Sequence, residues 1–153
     1  MTVRKTLPND IMLGSVRELI KEGHPVVIMT KGVSMLPFIE GKKDSVLLVA
    51  PEDLKRGDIA LAEVSEGRFV LHRVLSADEG TLVLQGDGNR RGREVCPLAA
   101  AAAKVKEIKH PDGSSTDPLS PAQMRRWRRW KAIPPVIRRF YLAFYRRIKR
   151  ISI

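Results

Sequence analysis

The pattern of apolar and polar positions changes its period once, at Pro25. Before this position, the apolar residues share one face of a helix: Met12, Val16, Leu19 and Ile20. Asn9 or Asp10 can cap the start of this helix, and Gly23 is placed to end it. We therefore expect residues 1–24 to form a short helical segment.

Beyond Pro25 the apolar residues occur in short runs that are typical of strands. Six such runs cover residues 26–30, 45–49, 59–64, 68–75, 81–86 and 104–108. Turn sequences such as KRGD, SEG and ADEG separate them. This pattern predicts a mainly β fold, with antiparallel strands in one compact domain over residues 25–109. At 153 residues the chain is long enough for one such domain with appendages.

The C-terminal part differs in both pattern and charge. Residues 110–120 are polar and rich in proline, which predicts a linker. Two helices are expected after it, at about 121–132 and 134–151, because Pro134 and Pro135 interrupt the helical pattern. Residues 121–153 contain 11 Lys and Arg and no Asp or Glu, whereas the preceding 120 residues contain 17 basic and 17 acidic residues. The whole net charge of +11 therefore lies in a basic amphipathic tail, 121–153.

An apolar stripe runs along the second of these helices. Its members are Ile137, Phe140, Tyr141, Phe144, Ile148 and Ile151. Basic residues cover most of the remaining surface, which is typical of a helix that lies on an anionic membrane. Two alternatives stay open. The stripe packs on the β domain or a partner, or the RRWRRW sequence at 125–130 binds nucleic acid through phosphate contacts and base stacking.

Other features of the composition indicate the cytoplasm. Cys96 is the lone cysteine, so no internal disulfide forms and a reducing compartment is expected. No segment approaches the roughly 18 consecutive apolar residues of a spanning helix, and the N-terminus lacks the apolar run of a signal peptide. We expect a cytoplasmic protein, with peripheral contact to the inner membrane face through residues 134–151 as the open alternative.

Candidate catalytic chemistry centres on Ser34 and His72. Ser34 lies in GVSMLPFI, between a glycine and a proline, and His72 lies inside an apolar strand, in FVLHRVL. The other histidines, His24 and His110, lie at a helix end and in the polar linker, where surface roles are expected. A neutral imidazole, with an ordinary pKa of about 6.5, can take the proton of a serine hydroxyl as the oxygen attacks a carbonyl.

Taken singly, these residues have ordinary structural explanations. The sequence boxes around them, however, follow one another in the order found in a known superfamily. GVSMLPFI, LKRGDIALAEV, VLHRVL and LQGDGN, followed by VCPLAAAAAKVKEI, resemble the boxes of the signal peptidase and LexA-like serine peptidase superfamily. The resemblance covers about residues 25–108. The base in this superfamily is often a lysine followed by arginine, and His72 with Arg73 is similar to its histidine-using branch.

The resemblance implies a role for each matching residue. Ser34 would be the nucleophile, His72 the general base, and Asp87 the acid that orients or supports the site. The GDGN sequence around Asp87 is also an ordinary turn sequence, so a structural role stays open. The Ser34 N–H would be one oxyanion donor. The positions that would line the substrate or oxyanion site are Gly32, Met35 and Pro37. The resemblance implies neither a metal nor a cofactor.

Two departures from the superfamily narrow the expected function. The chain shows no anchoring transmembrane helix of the kind that signal peptidases have. Residues 1–33 contain neither the Ala-Gly nor the Cys-Gly bond that LexA-like proteins cleave, and are too short for their DNA-binding domain. We therefore expect a stand-alone serine endopeptidase that trims a leader or propeptide from a cytoplasmic precursor. The alternatives are a non-catalytic relative that binds a peptide or partner, and a membrane- or nucleic-acid-binding protein that acts through its basic tail.

Overall fold

The computed structural model describes residues 3–5, 9–89 and 92–151. Its helices are α1 (Asn9–Lys21), α2 (Pro121–Ala132) and α3 (Pro135–Ile151), with a 3₁₀ turn at Leu98–Ala100. Its strands are β1 (Val3–Lys5), β2 (Val26–Met29), β3 (Ser45–Val49), β4 (Ile59–Ser65), β5 (Arg68–Asp78), β6 (Thr81–Gln85), β7 (Glu94–Pro97), β8 (Ala101–Lys109) and β9 (Ser115–Thr116). All six runs predicted as strands form strands, and the mainly β class is confirmed.

The described strands form one sheet in the order β1-β2-β3-β8-β4-β5-β6-β7, with β9 paired to β8. β1 runs parallel to β2, whereas the other described pairs are antiparallel, as short turns between strands favour. β8 lies between β3 and β4, which are consecutive in the chain. The last long strand therefore ties the first strands to the β4–β5–β6 meander that carries His72.

Two apolar layers hold the sheet together. The larger packs α1 against the sheet, and its buried members include Val16, Ile20, Val46, Leu48 and Val105. A smaller layer lies around the meander, and its buried members include Ala60, Val74, Leu82 and Leu84. Burial alternates along β3 and β6, so each of these strands presents one face to the core. The candidate site therefore stands on a packed scaffold.

The N-terminal helix follows its sequence pattern. Val16 and Ile20 are buried, and α1 ends near Gly23 as predicted, because Gly23 adopts a φ of +88°. The N–H groups of Gly23 and His24 donate to carbonyls of the last helical turn, at 3.0 Å each. Some sequence predictions lie outside the described side chains: the caps at Asn9 and Asp10, the apolar position Met12 of the N-terminal helix, and the stripe position Ile151.

The polar segment predicted as a linker, 110–120, is folded onto the sheet. Thr116 in β9 lies opposite Ile108 in β8. His110 Nδ1 lies 2.9 Å from Asp44 Oδ1, and His110 Nε2 lies 2.7 Å from Thr116 Oγ1. His110 therefore fastens the end of β8 to the segment that precedes β3, instead of lying free on the surface.

The first tail helix is packed into the body. Trp127 and Trp130 of α2 are only 2% and 6% exposed, and they form a cluster with Phe38 and Leu75. Ser120 caps α2 through its side chain, and the proline that follows occupies the first turn. The prediction of a separate tail from residue 121 therefore differs from the structure in this helix, because α2 contributes to the core.

The second tail helix begins directly after Pro134, as the sequence predicts. Its Leu142 packs against the cluster around Phe38, whereas Phe140 and Phe144 are exposed. Within the described ranges, no helix is both long enough and apolar enough to cross a bilayer.

Candidate active site

Ser34 lies in a closed loop between the antiparallel strands β2 and β3. Thr30, just after β2, accepts a hydrogen bond from the Lys42 N–H at 2.8 Å and donates its own N–H to the Asp44 carbonyl at 3.1 Å. The Thr30 hydroxyl also donates to that carbonyl, at 2.7 Å, and Asp44 Oδ2 accepts the Glu40 N–H at 2.8 Å. These bonds close the base of the loop, so Ser34 has a fixed place above the sheet.

The loop brings Ser34 to His72, which is 38 residues away in the sequence. Ser34 Oγ lies 3.2 Å from His72 Nε2, within hydrogen-bond distance. His72 lies in β5 opposite Ala60 of β4, and it is only 7% exposed. When the imidazole is neutral and carries its proton on Nδ1, the Ser34 hydroxyl donates to Nε2. This is the geometry that a serine nucleophile and its base require.

The second nitrogen of His72 has an unusual environment. Nδ1 is buried, and no described residue gives it a hydrogen-bond partner. Burial lowers the pKa of His72 below its ordinary value, the nearby Glu94 carboxylate opposes this shift, and Arg68 adds to it. His72 is therefore neutral at pH 7 and able to accept a proton. Within the described residues, the arrangement is a dyad, with no carboxylate on Nδ1.

Asp87 bonds to Arg73 and not to His72. Its Oδ2 accepts from Arg73 Nη2 at 2.7 Å, and its Oδ1 accepts from Trp127 Nε1 at 3.0 Å. Consecutive strand residues point to opposite faces, so His72 and Arg73 reach different partners. Burial raises the pKa of the Asp87 carboxyl, while the Arg73 charge and the two hydrogen bonds act against that shift. We interpret the short contact to the guanidinium as an ion pair.

The loop around Asp87 packs directly behind Ser34. The Gly88 N–H donates to the Ser34 carbonyl at 2.8 Å. A Cβ atom added at Gly86 would lie 2.5 Å from the Ser34 carbonyl oxygen and 3.1 Å from Ser34 Cβ, so a larger residue would displace one of the two loops. Asp87 sits between these two glycines. Asp87 therefore lies in the loop that packs behind Ser34, without contact to the imidazole.

The buried side chain of Arg73 stabilises this arrangement. Its side chain is 2% exposed, and besides Asp87 it donates to the Gly57 carbonyl at 3.0 Å. Its guanidinium carbon also lies 5.2 Å from the centre of the Phe38 ring and 5.1 Å from that of Trp127. A guanidinium can fill such a site because it presents several donors in one plane and stacks on aromatic rings.

The remaining predicted site residues fall into two groups. Gly32 and Met35 line the cleft beside Ser34, and Gly32 has a φ of +78°, a region that disfavours other residues. Pro37 follows a cis peptide bond, and its carbonyl accepts from Arg126 of α2 at 3.4 Å, so it borders the tail helix. The Ser34 N–H donates no hydrogen bond to another described residue, which leaves it available to an oxyanion.

The Ser34 hydroxyl faces a cleft of about 200 Å³. One wall is formed by residues 29–32 and the other by residues 69–72, and most of the lining side chains are apolar. β6 pairs with β5 only from Arg73 onward, while residues 68–72 pair with β4. In the described part of the chain, the edge of β5 that borders the cleft therefore carries no strand. An open strand edge can accept an extended peptide.

Comparison with family models gives no match for this chain, and comparison with curated proteins gives none either. The case for a function therefore rests on the geometry of the site and on the order of its sequence boxes.

Sequence reasoning missed the two tryptophans behind the site. RRWRRW was interpreted as a candidate for base stacking, but Trp127 and Trp130 are buried. Their indole N–H groups donate to Asp87, to Oδ1 at 3.0 Å and to the carbonyl oxygen at 2.7 Å. They are therefore not accessible for stacking on bases. Their spacing of three positions on a helix was the available signal, because it places both rings on one face.

Proposed function

We propose that this protein is a serine endopeptidase that trims a leader or propeptide from a peptide or protein precursor. The observation that carries the proposal is the 3.2 Å approach of Ser34 Oγ to His72 Nε2 at the edge of a cleft. A serine and a histidine at this distance are common enough in proteins. The combination with a neutral, buried imidazole and an open strand edge is what favours catalysis over packing.

The convergence of the sequence boxes supports the same proposal. Ser34 of the first box meets His72 of the third. Arg73, also of the third box, bonds to the Gly57 carbonyl of the second box and to the Asp87 carboxylate of the fourth. Boxes that are scattered over about 25–108 thus meet around one serine. This is the arrangement that a signal peptidase or LexA-like catalytic domain needs, and we assign the chain to that type of fold as part of the proposal.

The proposed reaction is acyl transfer through a covalent intermediate. Ser34 Oγ attacks the peptide carbonyl carbon while its proton passes to His72 Nε2. The carbon–nitrogen bond then breaks as His72 returns that proton to the leaving amine. A water molecule, deprotonated by His72, attacks the acyl carbon and releases the second product, and the proton goes back to Ser34. The Ser34 N–H stabilises the oxyanion in both steps.

The cleft favours an extended substrate. A peptide that pairs with residues 69–72 of β5 would place alternate side chains into the apolar lining near Met35 and pass its backbone over Ser34. The space between the two cleft walls is about 200 Å³. The substrate class is therefore a flexible, unfolded segment such as a leader.

The location we propose is the cytoplasm, with reversible contact to the inner membrane face. The positive charge of the chain is concentrated in residues 121–153, and these residues contain no acidic side chain. Attraction to anionic lipids is the expected consequence of such a segment.

Covalent labelling with a fluorophosphonate tests the proposed nucleophile. We expect a single phosphonyl adduct on the Ser34 peptide, found by mass spectrometry, and its loss in Ser34→Ala. Ser65→Ala is the matched control, because Ser65 is exposed and lies away from the cleft, and this variant should label like the wild type. A folded wild-type protein that neither labels at Ser34 nor cleaves any member of a peptide library would instead be a non-catalytic relative.

A further inference from the structure

The outer face of α3 is apolar and exposed to solvent. Ile137, Phe140 and Phe144 are 56%, 68% and 64% exposed. Contiguous apolar surface of this kind is unusual on a soluble protein and marks an interaction site. This face has the spacing of a single stripe, because positions three and four apart lie on the same side of a helix.

The opposite face of α3 is fixed to the body. Tyr145 donates its hydroxyl to Glu40 Oε2 at 3.3 Å, and the Tyr141 ring meets the Trp130 ring with centroids 5.5 Å apart. Leu142 packs on the buried cluster around α2. Phe140 and Phe144 are each two positions from Leu142, about 200° around the helix. The outer part of the predicted stripe, Ile137, Phe140 and Phe144, therefore points away from the body, whereas its member Tyr141 contacts the body.

Arg147, three positions after Phe144, borders this face, and further exposed cations lie elsewhere on the two tail helices. Arg139, Arg146 and Arg147 of α3 are exposed, as are Arg125 and Arg128 of α2. Residues 121–153 contain no Asp or Glu that could neutralise them. An apolar stripe beside unopposed arginines matches the two layers of an anionic bilayer surface, in which phosphate groups lie directly above acyl chains.

The other candidate occupants fit this face less well. A second copy of the chain would bring two sets of 11 cations together, at a repulsive cost that the stripe would have to overcome. Single-stranded nucleic acid binds through exposed aromatic rings among cations, and the two tryptophans of the tail are lost to this role because Trp127 and Trp130 are buried and hydrogen-bonded to Asp87. The exposed rings that remain on the outer face, Phe140 and Phe144, share it with Ile137. Ile137 adds an aliphatic surface that stacks on no base.

We propose that the outer face of α3 docks on an anionic bilayer and thereby presents the Ser34 cleft to precursors held at the membrane surface. Few contacts separate α3 from the Ser34 cleft. Tyr145 of α3 bonds to Glu40, and Glu40 precedes Gly41, which lines the cleft. A docked α3 therefore fixes the loop that carries Ser34 near the lipid surface. The lipid-docking part is independent of catalysis, whereas the substrate part rests on the proposed peptidase activity.

Vesicle co-sedimentation of the full chain tests the docking. The vesicles are phosphatidylcholine alone, or phosphatidylcholine with a quarter of phosphatidylglycerol. We expect strong binding only to the anionic vesicles, a loss of about tenfold in partitioning for Phe144→Glu, and about a hundredfold for Arg139, Arg146 and Arg147 changed together to Gln. Val95→Glu is the matched control, because Val95 is 65% exposed on β7, and it should bind like the wild type.

Three outcomes would overturn the docking. They are equal binding to both vesicle types, unchanged binding of folded Phe144→Glu, and a dimer in light scattering that Phe144→Glu dissociates. Duplex or single-stranded DNA that displaces the protein from vesicles at equal phosphate concentration would also count against it. Circular dichroism of each variant shows that the chain remains folded. Ser34→Ala should bind vesicles like the wild type, so a failure of the peptidase activity leaves this test intact.

The substrate part needs a separate comparison. One peptide sequence that the wild type cleaves is presented free and as a lipid-anchored form on the anionic vesicles. We expect the anchored form to be cleaved about tenfold faster by the wild type, and this advantage to vanish in Phe144→Glu. Equal rates on both forms by vesicle-bound wild type would overturn the substrate assignment. If the wild type cleaves no peptide of a library, so that no such sequence can be chosen, the result counts against the proposed function without affecting the vesicle-binding result.

Discussion

The indole N–H of Trp127 donates to Asp87 Oδ1 at 3.0 Å, and through this bond the C-terminal basic segment supports the loop behind Ser34. Asp87 lies between Gly86, which packs against Ser34, and Gly88, which bonds to the Ser34 carbonyl. This helix, α2, carries net positive charge and is therefore also a structural part of the candidate site.

Replacement of Trp127 by Phe tests this support. Trp127→Phe keeps most of the ring but leaves a buried carboxylate oxygen without one donor, so the free energy of unfolding should fall by about 1–3 kcal/mol. Urea denaturation measures the loss. Arg128→Gln, at an exposed position of the same helix, should change stability by less than about 0.5 kcal/mol. Equal stability of Trp127→Phe and Arg128→Gln would contradict the assigned role of the indole.

The buried ion pair of Arg73 with Asp87 predicts a non-additive pair of substitutions. Each side chain is 2% exposed, and the two approach to 2.7 Å. Arg73→Met or Asp87→Asn alone leaves an uncompensated buried group, at a cost of about 3–5 kcal/mol. The double variant should be clearly more stable than the sum of the two losses, because neither charge then remains. Strict additivity in urea denaturation would show that the two groups do not act as a pair.

The pH dependence of cleavage follows from the environment of His72. The active form of the base is neutral, so activity rises as pH passes upward through the pKa of His72 and then levels off. Burial lowers that pKa, and the rise should therefore be centred below the ordinary value of about 6.5. A profile of kcat/KM against pH checks this, and a rise centred near pH 9 would exclude His72 as the base.

Glu94 offers a sharper version of the same test. Its charge raises the pKa of His72 against the effect of burial, so Glu94→Gln should move the rise in activity to still lower pH. Glu107→Gln is the control, because Glu107 lies on β8 and does not contribute to the shift of His72. An upward displacement in Glu94→Gln, or an equal displacement in both variants, would contradict this electrostatic account.

The close packing behind the serine predicts a selective loss of activity. Gly86→Ala would place a Cβ 2.5 Å from the Ser34 carbonyl oxygen, so the loop must shift and the hydroxyl must move relative to His72. A displacement of about 1 Å is enough to reduce the rate about a hundredfold. Gly14→Ala is the control, since a Cβ there meets nothing within 4 Å. Full activity of Gly86→Ala would show that the two loops are not coupled.

Much of the fold could be predicted from the sequence because its longer strands are short apolar runs and glycine marks many of the turns between them. The strands that were missed have weak local signals. β7 has only Val95 and Cys96 as apolar residues and ends at a proline, and β9 contains two polar residues. Their positions depend on pairing with β6 and β8, which is a property of the tertiary structure. β1 is three residues long and pairs in parallel with a strand that follows α1.

The candidate site was less predictable from local sequence patterns than the fold. No local pattern connects Ser34 with His72 across 38 residues, so their proximity was expected only from the resemblance of the boxes. Asp87 bonds to Arg73 and not to His72, because these two residues are consecutive in β5 and their side chains point to opposite faces. Trp127 and Trp130 were assigned to a basic tail because charge dominates their surroundings. Only the structure shows that the tail helix is docked.

The double-mutant comparison of Ser34 and His72 tests the central claim most directly. The measurement is kcat/KM for one cleaved peptide with the wild type, Ser34→Ala, His72→Ala and the double variant, all shown to be folded. Because the two residues act as a unit, each single change should remove nearly all activity, and the double variant should be no worse than either. If folded His72→Ala cleaves the peptide at a rate near that of the wild type, the dyad at 3.2 Å is not the catalytic centre.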